Sequence, residues 1–323
     1  MAVRSVPLQR LVGLLCHSDG RVFPQLRAVA AYAASFIPSF FDYLIGADSD
    51  VLLDGDVEDT DDARRERLTE ALLQELRGKR LRAHELLRRC RGLHHPRLHT
   101  QLLAVITNQH EPESARLGAI FMTEGCVSGV PPQLDAPVEA ALANLALEEN
   151  ENMRLRSYAA MTIRVRGSED GKEKLLPLAR VPRCTSAEQR QLKGTALEAV
   201  WPGLLSADEL FDLIETPSSN THTSYESFLS FDLVQGLRAA DMPRALRWVA
   251  QNCRRMGRAV EAQYYLDKLS DAIVLRAWDE RDAPGVIEAL AEVVLAKAEH
   301  HDDLAGVEVV RPDGTTMDAA LML

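Results

Sequence analysis

Arg80, His84, Arg88 and Arg91 stand three or four residues apart in a run of good helix formers. On a helix turning about 100° per residue they fall within about 80° of one face. A basic stripe of that kind can bind phosphates or an acidic protein surface. Arg82 and Arg89 lie on another flank, with Glu85 between the two sets. No aromatic residue is interleaved for base stacking. The acidic stretch just upstream, Asp48 to Asp62, offers the same cations an internal partner, or the stripe is simply a solvated face.

The other constellations are incomplete. Zinc needs paired imidazoles on one helix face, and both His84-Glu85-x-x-Arg88 and His110-Glu111-x-x-Ser114 lack the second histidine. His94, His95 and His99 are denser, but no cysteine or further carboxylate stands beside them at ligand spacing. His300-His301-Asp302-Asp303 reads as a solvated helix end. Around Asp54-Gly55-Asp56 no start supplies the carboxylates and glycine of a calcium loop. The string from Gly167 to Glu173 has three residues between its glycines where a phosphate-binding loop has four, and it ends in Glu. Ser218, Ser219, His222 and Ser224 gather in a Ser/Thr/Asn-rich loop, 216–224, without the rigid third group a triad requires. No catalytic residue, metal or cofactor is expected, and a hydrolase in that loop is the weakest reading.

The elements that would carry these residues are helical. Asp61 opens a helix to Arg77 with Leu68, Leu72, Leu73 and Leu76 on one face. After Gly78 a second runs to about Arg91 and stops at Gly92. Paired helices follow: Pro96–Asn108 with Glu113–Cys126, Ala136–Glu148 with Asn152–Arg166, and Lys172–Arg180 with Ala187–Val200. Ser186-x-x-Gln189 and Ser206-x-x-Glu209 read as capping boxes. Asp135, Asp241 and Asp282, each two residues before a proline, read as caps for Pro137–Glu148, Pro243–Arg255 and Pro284–His300. Arg258 to Asp279 reads as one long helix, and the segment from Gly306 to Val310 alternates like a strand before a turn at Pro312-Asp313-Gly314.

Within this array Arg116–Ala119, Arg156–Ala159 and Lys193–Ala196 recur at separations of 40 and 37 residues. Two helices per period of about 40 residues is the pattern of a HEAT- or armadillo-type α-solenoid. Each cation is expected to bond an acidic or carbonyl group in a neighbouring turn, such as Glu113, Glu148 or Glu151, and so to fix the stacking. The chain is thus expected to be all-α: residues 1–60 an N-terminal helical cap with an acidic linker, 61–305 the solenoid, 306–323 a β-like tail that could begin a further domain.

Composition agrees. Aromatics make up only 5% of the 323 residues, and a net charge of −11 argues against nucleic-acid binding by the whole surface. Five scattered cysteines form no disulfide framework, which points to a reducing cytoplasm. The apolar run Leu11 to Leu15 is too short for a signal segment, and the stretch Ala28 to Phe41 contains Pro38 and is too short for a membrane span.

The region from about Leu93 to Ala250 resembles the HEAT-like repeats of large bacterial NACHT- or STAND-type NTPases. His95-Pro96, Gln101-Leu102, Arg116 to Ala119 and Arg154 to Met161 carry the likeness, most specifically Gln191 to Leu197 followed by Val200-Trp201-Pro202 and Leu205 to Phe211. Ser227 to Leu229 and the Asp241 to Trp248 helix continue it, and Val51 to Asp56 is similar more weakly. The resemblance implies a recognition part, and many members of that family are implied to act in antiphage or other conflict systems. Their nucleotide site has no counterpart here. The expected function is therefore a non-enzymatic protein-interaction scaffold or sensor, cytoplasmic, with a protein partner such as an NTPase module. A nucleic-acid-binding solenoid using Arg80, His84, Arg88 and Arg91 is the alternative.

Overall fold

The structure, a computed structural model, describes residues 6–126, 134–215, 222–252, 264–299, 308–310 and 316–318. It is all-α apart from Glu308–Val310 and Thr316–Asp318, which pair antiparallel; the rest of 306–323 lies outside the described residues. The chain divides into two compact units, Met1–Gly171 and Lys172–Leu323, a boundary inside the stretch 61–305 that the sequence suggests is one array.

In the first unit α1 (Leu8–Leu15), α2 (Arg27–Phe36) and α3 (Pro38–Ala47) precede two short 3₁₀ turns, Ser49–Asp54 and Val57–Asp59. The acidic stretch is no loose linker. Val51, Leu52, Leu53 and Val57 are buried, and the first turn packs on α2 and α3. Helix α4 (Asp62–Arg77) begins where expected, the Asp61 carboxylate accepting from the Arg64 amide at 2.9 Å. Then come α5 (Ala83–Arg89), α6 (Leu98–Thr107), α7 (Glu113–Gly125), α8 (Ala136–Leu147) and α9 (Met153–Arg166). Helix α6 packs on α7 and α8, and α9 on α7 and α8, while α4 and α5 cover α7. The close approach of α4 needs Gly118, since a Cβ there would overlap Leu76.

The five-residue helix α10 (Glu169–Glu173) spans the boundary between the units. It and α11 (Leu176–Ala179) replace the expected single helix 172–180. Pro177 explains the break: it has no amide hydrogen to give, and its ring clashes with the carbonyl four residues back.

The second unit continues with α12 (Ala187–Val200), α13 (Ala207–Leu213), α14 (Ser224–Ser227), α15 (Leu233–Gly236), α16 (Met242–Asn252), α17 (Tyr264–Asp279) and α18 (Val286–Glu299). A π turn, Phe228–Asp232, joins α14 to α15. Helix α12 packs on α11 and α14, and α16 on α13, α17 and α18. Residues 253–263, and with them Cys253 and the expected start of the helix at Arg258, lie outside the described residues.

Several caps differ from expectation because another partner takes the side chain. Ser186 and Ser206 do accept from the amides of Gln189 and Glu209. Gln189, however, turns to the Thr185 amide and Glu209 to Arg180, so neither box closes. Asp135 makes no cap bond; its carboxylate is held by His99. Asp241 points back to the Arg238 amide and guanidinium, and α18 starts at Val286, after Gly285 at φ +77°. A complete capping box forms where a loop is expected, between Thr223 and Glu226 at the start of α14.

Candidate functional site

The basic stripe does not lie on one helix. Helix α5 stops short at both ends, so His84 and Arg88 belong to it, while Arg80 precedes it and Arg91 follows its C-cap. The cause is the end of α4. Lys79 takes a left-handed φ of +56°, and the Arg80 amide donates to the Glu75 carbonyl at 2.9 Å, closing the helix terminus. That bond ties the Arg80 backbone to α4, and its guanidinium lies 2.9 Å from a Glu75 oxygen. At the other end α5 stops at Arg89 with Cys90 as its C-cap, before Gly92, the expected stop, which takes φ +85°.

The acidic segment does meet this region, through a residue of the opposite flank. Arg89 bonds Asp50 and Asp54, and Arg27 of α2 bonds the same two carboxylates at 2.7 and 2.9 Å. Burial opposes the charge on Asp50, but the two guanidiniums outweigh it and hold its carboxyl below the usual range. These two cations are thereby used up inside the fold. Lys79, Arg82, His84, Arg88 and Arg91 are not: all are exposed, and none has an ion-pair partner among the described residues.

Two clefts flank α5. One, of about 500 Å³, is bordered by His84, Arg88 and the Arg27–Asp50–Asp54–Arg89 cluster. The other, of about 650 Å³, has Lys79, Arg82, His84 and Arg154 at its edge and Leu81 and Leu117 in its floor. Arg80 faces neither; it borders a third, acid-lined cleft with Asp48, Asp50 and Glu75. The expected stripe is thus divided: Arg80 borders one hollow, His84 and Arg88 share another, and Arg91 borders none of the three.

The recurring cations of the repeat are interior. Arg116 donates from Nε to the Ile106 carbonyl at 3.1 Å, and Arg156 to the Ala146 carbonyl at 3.0 Å. Each acceptor is the penultimate residue of the preceding helix, one of the carbonyls a helix end leaves without a partner. Arg116 adds an ion pair to Glu151 at 2.8 Å, joining successive helix pairs. Lys193 does something different. It reaches forward, its Nζ 2.9 Å from the Leu213 carbonyl and 3.2 Å from Glu215, and is only 1% exposed. The separation of 37 residues therefore joins two unlike contacts.

Around Lys193 the second unit holds a buried polar cluster that spacing does not reveal. Glu215 accepts from the Cys184 amide, Tyr225 bonds the backbone of Glu215, and Glu226 pairs with Arg190. Burial and the Glu215 carboxylate push the Cys184 thiol up to about 12, so it stays protonated and inert. Gln191 exchanges two hydrogen bonds with Ser224, and Trp201 donates to the Leu233 carbonyl at 3.0 Å. Gln191, Lys193 and Trp201, polar side chains of the Gln191 to Trp201 block, all bond within the fold.

The remaining candidates resolve as follows. His95 is buried against Thr69 at 3.2 Å, and burial lowers its pKa; His99 is tied to Asp135. Among the described residues no group of three or more His, Cys, Asp or Glu is placed to hold a metal ion. Ser218 and Ser219 lie outside the described residues, as do His300 to Asp303. His222 does face a serine, Ser227 Oγ at 2.9 Å from Nε2, with the Tyr265 hydroxyl 3.2 Å from Nδ1. The Ser227 amide is already bonded to the Thr223 carbonyl at 3.1 Å, so it cannot help hold an oxyanion. Cys16, Cys90, Cys126 and Cys184 are free thiols, all buried. No described helix is long and apolar enough to cross a membrane.

No protein-family model, curated protein or solved structure matches this chain.

Proposed function

We propose that this protein is a non-enzymatic, cytoplasmic recognition scaffold that binds an acidic protein surface through the basic face around α5. One observation carries the reading. In a chain of net charge −11, Lys79, Arg82, His84, Arg88 and Arg91 remain exposed and unpaired while neighbouring Arg27, Arg77 and Arg89 are neutralised by carboxylates. Such a face favours association with an opposite charge and adds to encounter rate and specificity. The matching roles of Arg116 and Arg156, one repeat apart, favour a HEAT-like solenoid as its support. Free thiols fit a reducing compartment. On the resemblance of the Gln191 to Trp201 block, the scaffold is the recognition part of a bacterial NACHT-type defence NTPase, and the NTPase module is its partner. ATP turnover would belong to that partner.

The tagged chain, purified from its native host at low salt with nuclease present, should retain a protein that the Arg88→Glu/Arg91→Glu variant loses. Equal retention by the variant refutes the assignment of the face. Retention of nucleic acid in place of protein when nuclease is omitted would favour the nucleic-acid reading instead.

A further inference from the structure

We infer that the 650 Å³ cleft beside α5 seats an acidic segment of the partner protein that carries one aliphatic anchor residue. The inference rests on the proposed recognition role and names what its surface accepts. The volume is that of an ordinary ligand cleft. Its edge is cationic: Lys79 and Arg82 are free, and Arg154 lies at 3.4 Å from Glu113, with 58% of its side chain exposed; the His84 ring is exposed beside them. Glu113, the one carboxylate in the lining, is already engaged by Arg154 and by the Asn152 side chain, whose Nδ2 donates to it at 3.2 Å. An entering carboxylate therefore meets spare positive charge.

The floor selects what accompanies that carboxylate. Leu81, Ala83 and Leu117 form it with Pro112 beside them, and the only aromatic ring in the lining is the imidazole of His84. Nucleic-acid bases would have almost nothing to stack on, whereas a leucine-sized side chain gains by leaving water. The geometry is also fixed in advance. Because the Arg80 amide closes α4, the left-handed Lys79 is held on this cleft while Arg80 is turned to the acid-lined one. Two adjacent cations are thus separated by backbone conformation, and one of them is left for the partner.

The probe is a labelled twelve-residue peptide of Asp, Glu and Ser with one central Leu, titrated with the full chain by fluorescence anisotropy. Its counterparts are the same peptide with Ser for Leu and a twelve-nucleotide single-stranded DNA. The Leu peptide should bind about tenfold tighter than the Ser peptide, and its affinity should fall as salt rises. Arg82→Glu should weaken it by about tenfold or more, while Arg10→Glu, on α1 and outside the cleft, should change it by less than about twofold. The Arg82 side chain is exposed and makes no hydrogen bond among the described residues, so circular dichroism should report an intact fold for that variant. No binding at millimolar peptide, equal affinity for the two peptides, or equal effects of the two variants overturns the inference. If partner capture by the tagged chain still depends on Arg88 and Arg91, the recognition role stands without this cleft. DNA binding as tight as the Leu peptide would sink both.

Discussion

Replacing Lys193 by methionine tests whether the buried cations hold the fold together. Methionine has a similar length without the charge. The change leaves the Leu213 carbonyl without its 2.9 Å donor and Glu215 without the 3.2 Å ammonium. Removing one partner of a buried pair costs about 3–5 kcal/mol. Glu215 is 17% exposed by its side chain and keeps the Cys184 amide at 3.0 Å, so the low end applies, about 3 kcal/mol. Trp201, Trp248 and Trp278 all lie in the second unit, so tryptophan fluorescence reads its unfolding. With a urea slope of about 1–3 kcal/mol/M, the midpoint should fall by about 1–3 M. Adding Glu215→Gln should then restore about 1 kcal/mol or more, because the stranded charge is gone. A midpoint shift below about 0.3 M, or no recovery in the double variant, would refute the reasoning.

Two further outcomes follow from other contacts. Gly194→Ala should cost more than about 3 kcal/mol and break the Gln191–Ser224 exchange, because the new Cβ would overlap the backbone of Ser224 and Tyr225. Gly118→Ala meets the Leu76 side chain but no backbone and should cost less, about 1–3 kcal/mol; equal midpoints in urea would contradict this. His95, whose pKa burial lowers from 6.5 despite Glu66 and Asp62 and with help from His94 and Arg65, folds as the neutral ring. The unfolded chain then binds the extra proton, so stability is full above about pH 6.5 and declines as pH falls from there toward the folded pKa. Far-UV circular dichroism in urea between about pH 5 and 7 should show a slope that His95→Gln removes; an unchanged slope refutes it.

The helices were largely readable from periodicity because their apolar faces follow a period set by the backbone. Ala187–Val200 runs as expected, and α4, α6, α7, α8 and α9 differ only by a residue or two at their ends. Reading failed at α5, at the break around Pro177 and in the cap bonds of the Asp-x-Pro starts, whose positions hold to within two residues. In the first case the cap of the previous helix consumed Arg80, and in the last the carboxylates of Asp135 and Asp241 found His99 and Arg238. Local sequence offers such a group several partners, and only the folded chain picks one.

The candidate site divides the same way. Residue types alone give the net charge, the density of cations from Lys79 to Arg91, and the acidic run upstream. Which cations are spent is a tertiary fact. Arg89 meets Asp50 and Asp54 across 39 and 35 residues, and Arg116 and Arg156 each reach back ten residues to a helix-end carbonyl. Lys193 shares their spacing yet reaches forward to Leu213. A period in sequence fixes how often a cation recurs, whereas its partner depends on which buried carbonyl or carboxylate the packed helices bring within hydrogen-bonding distance.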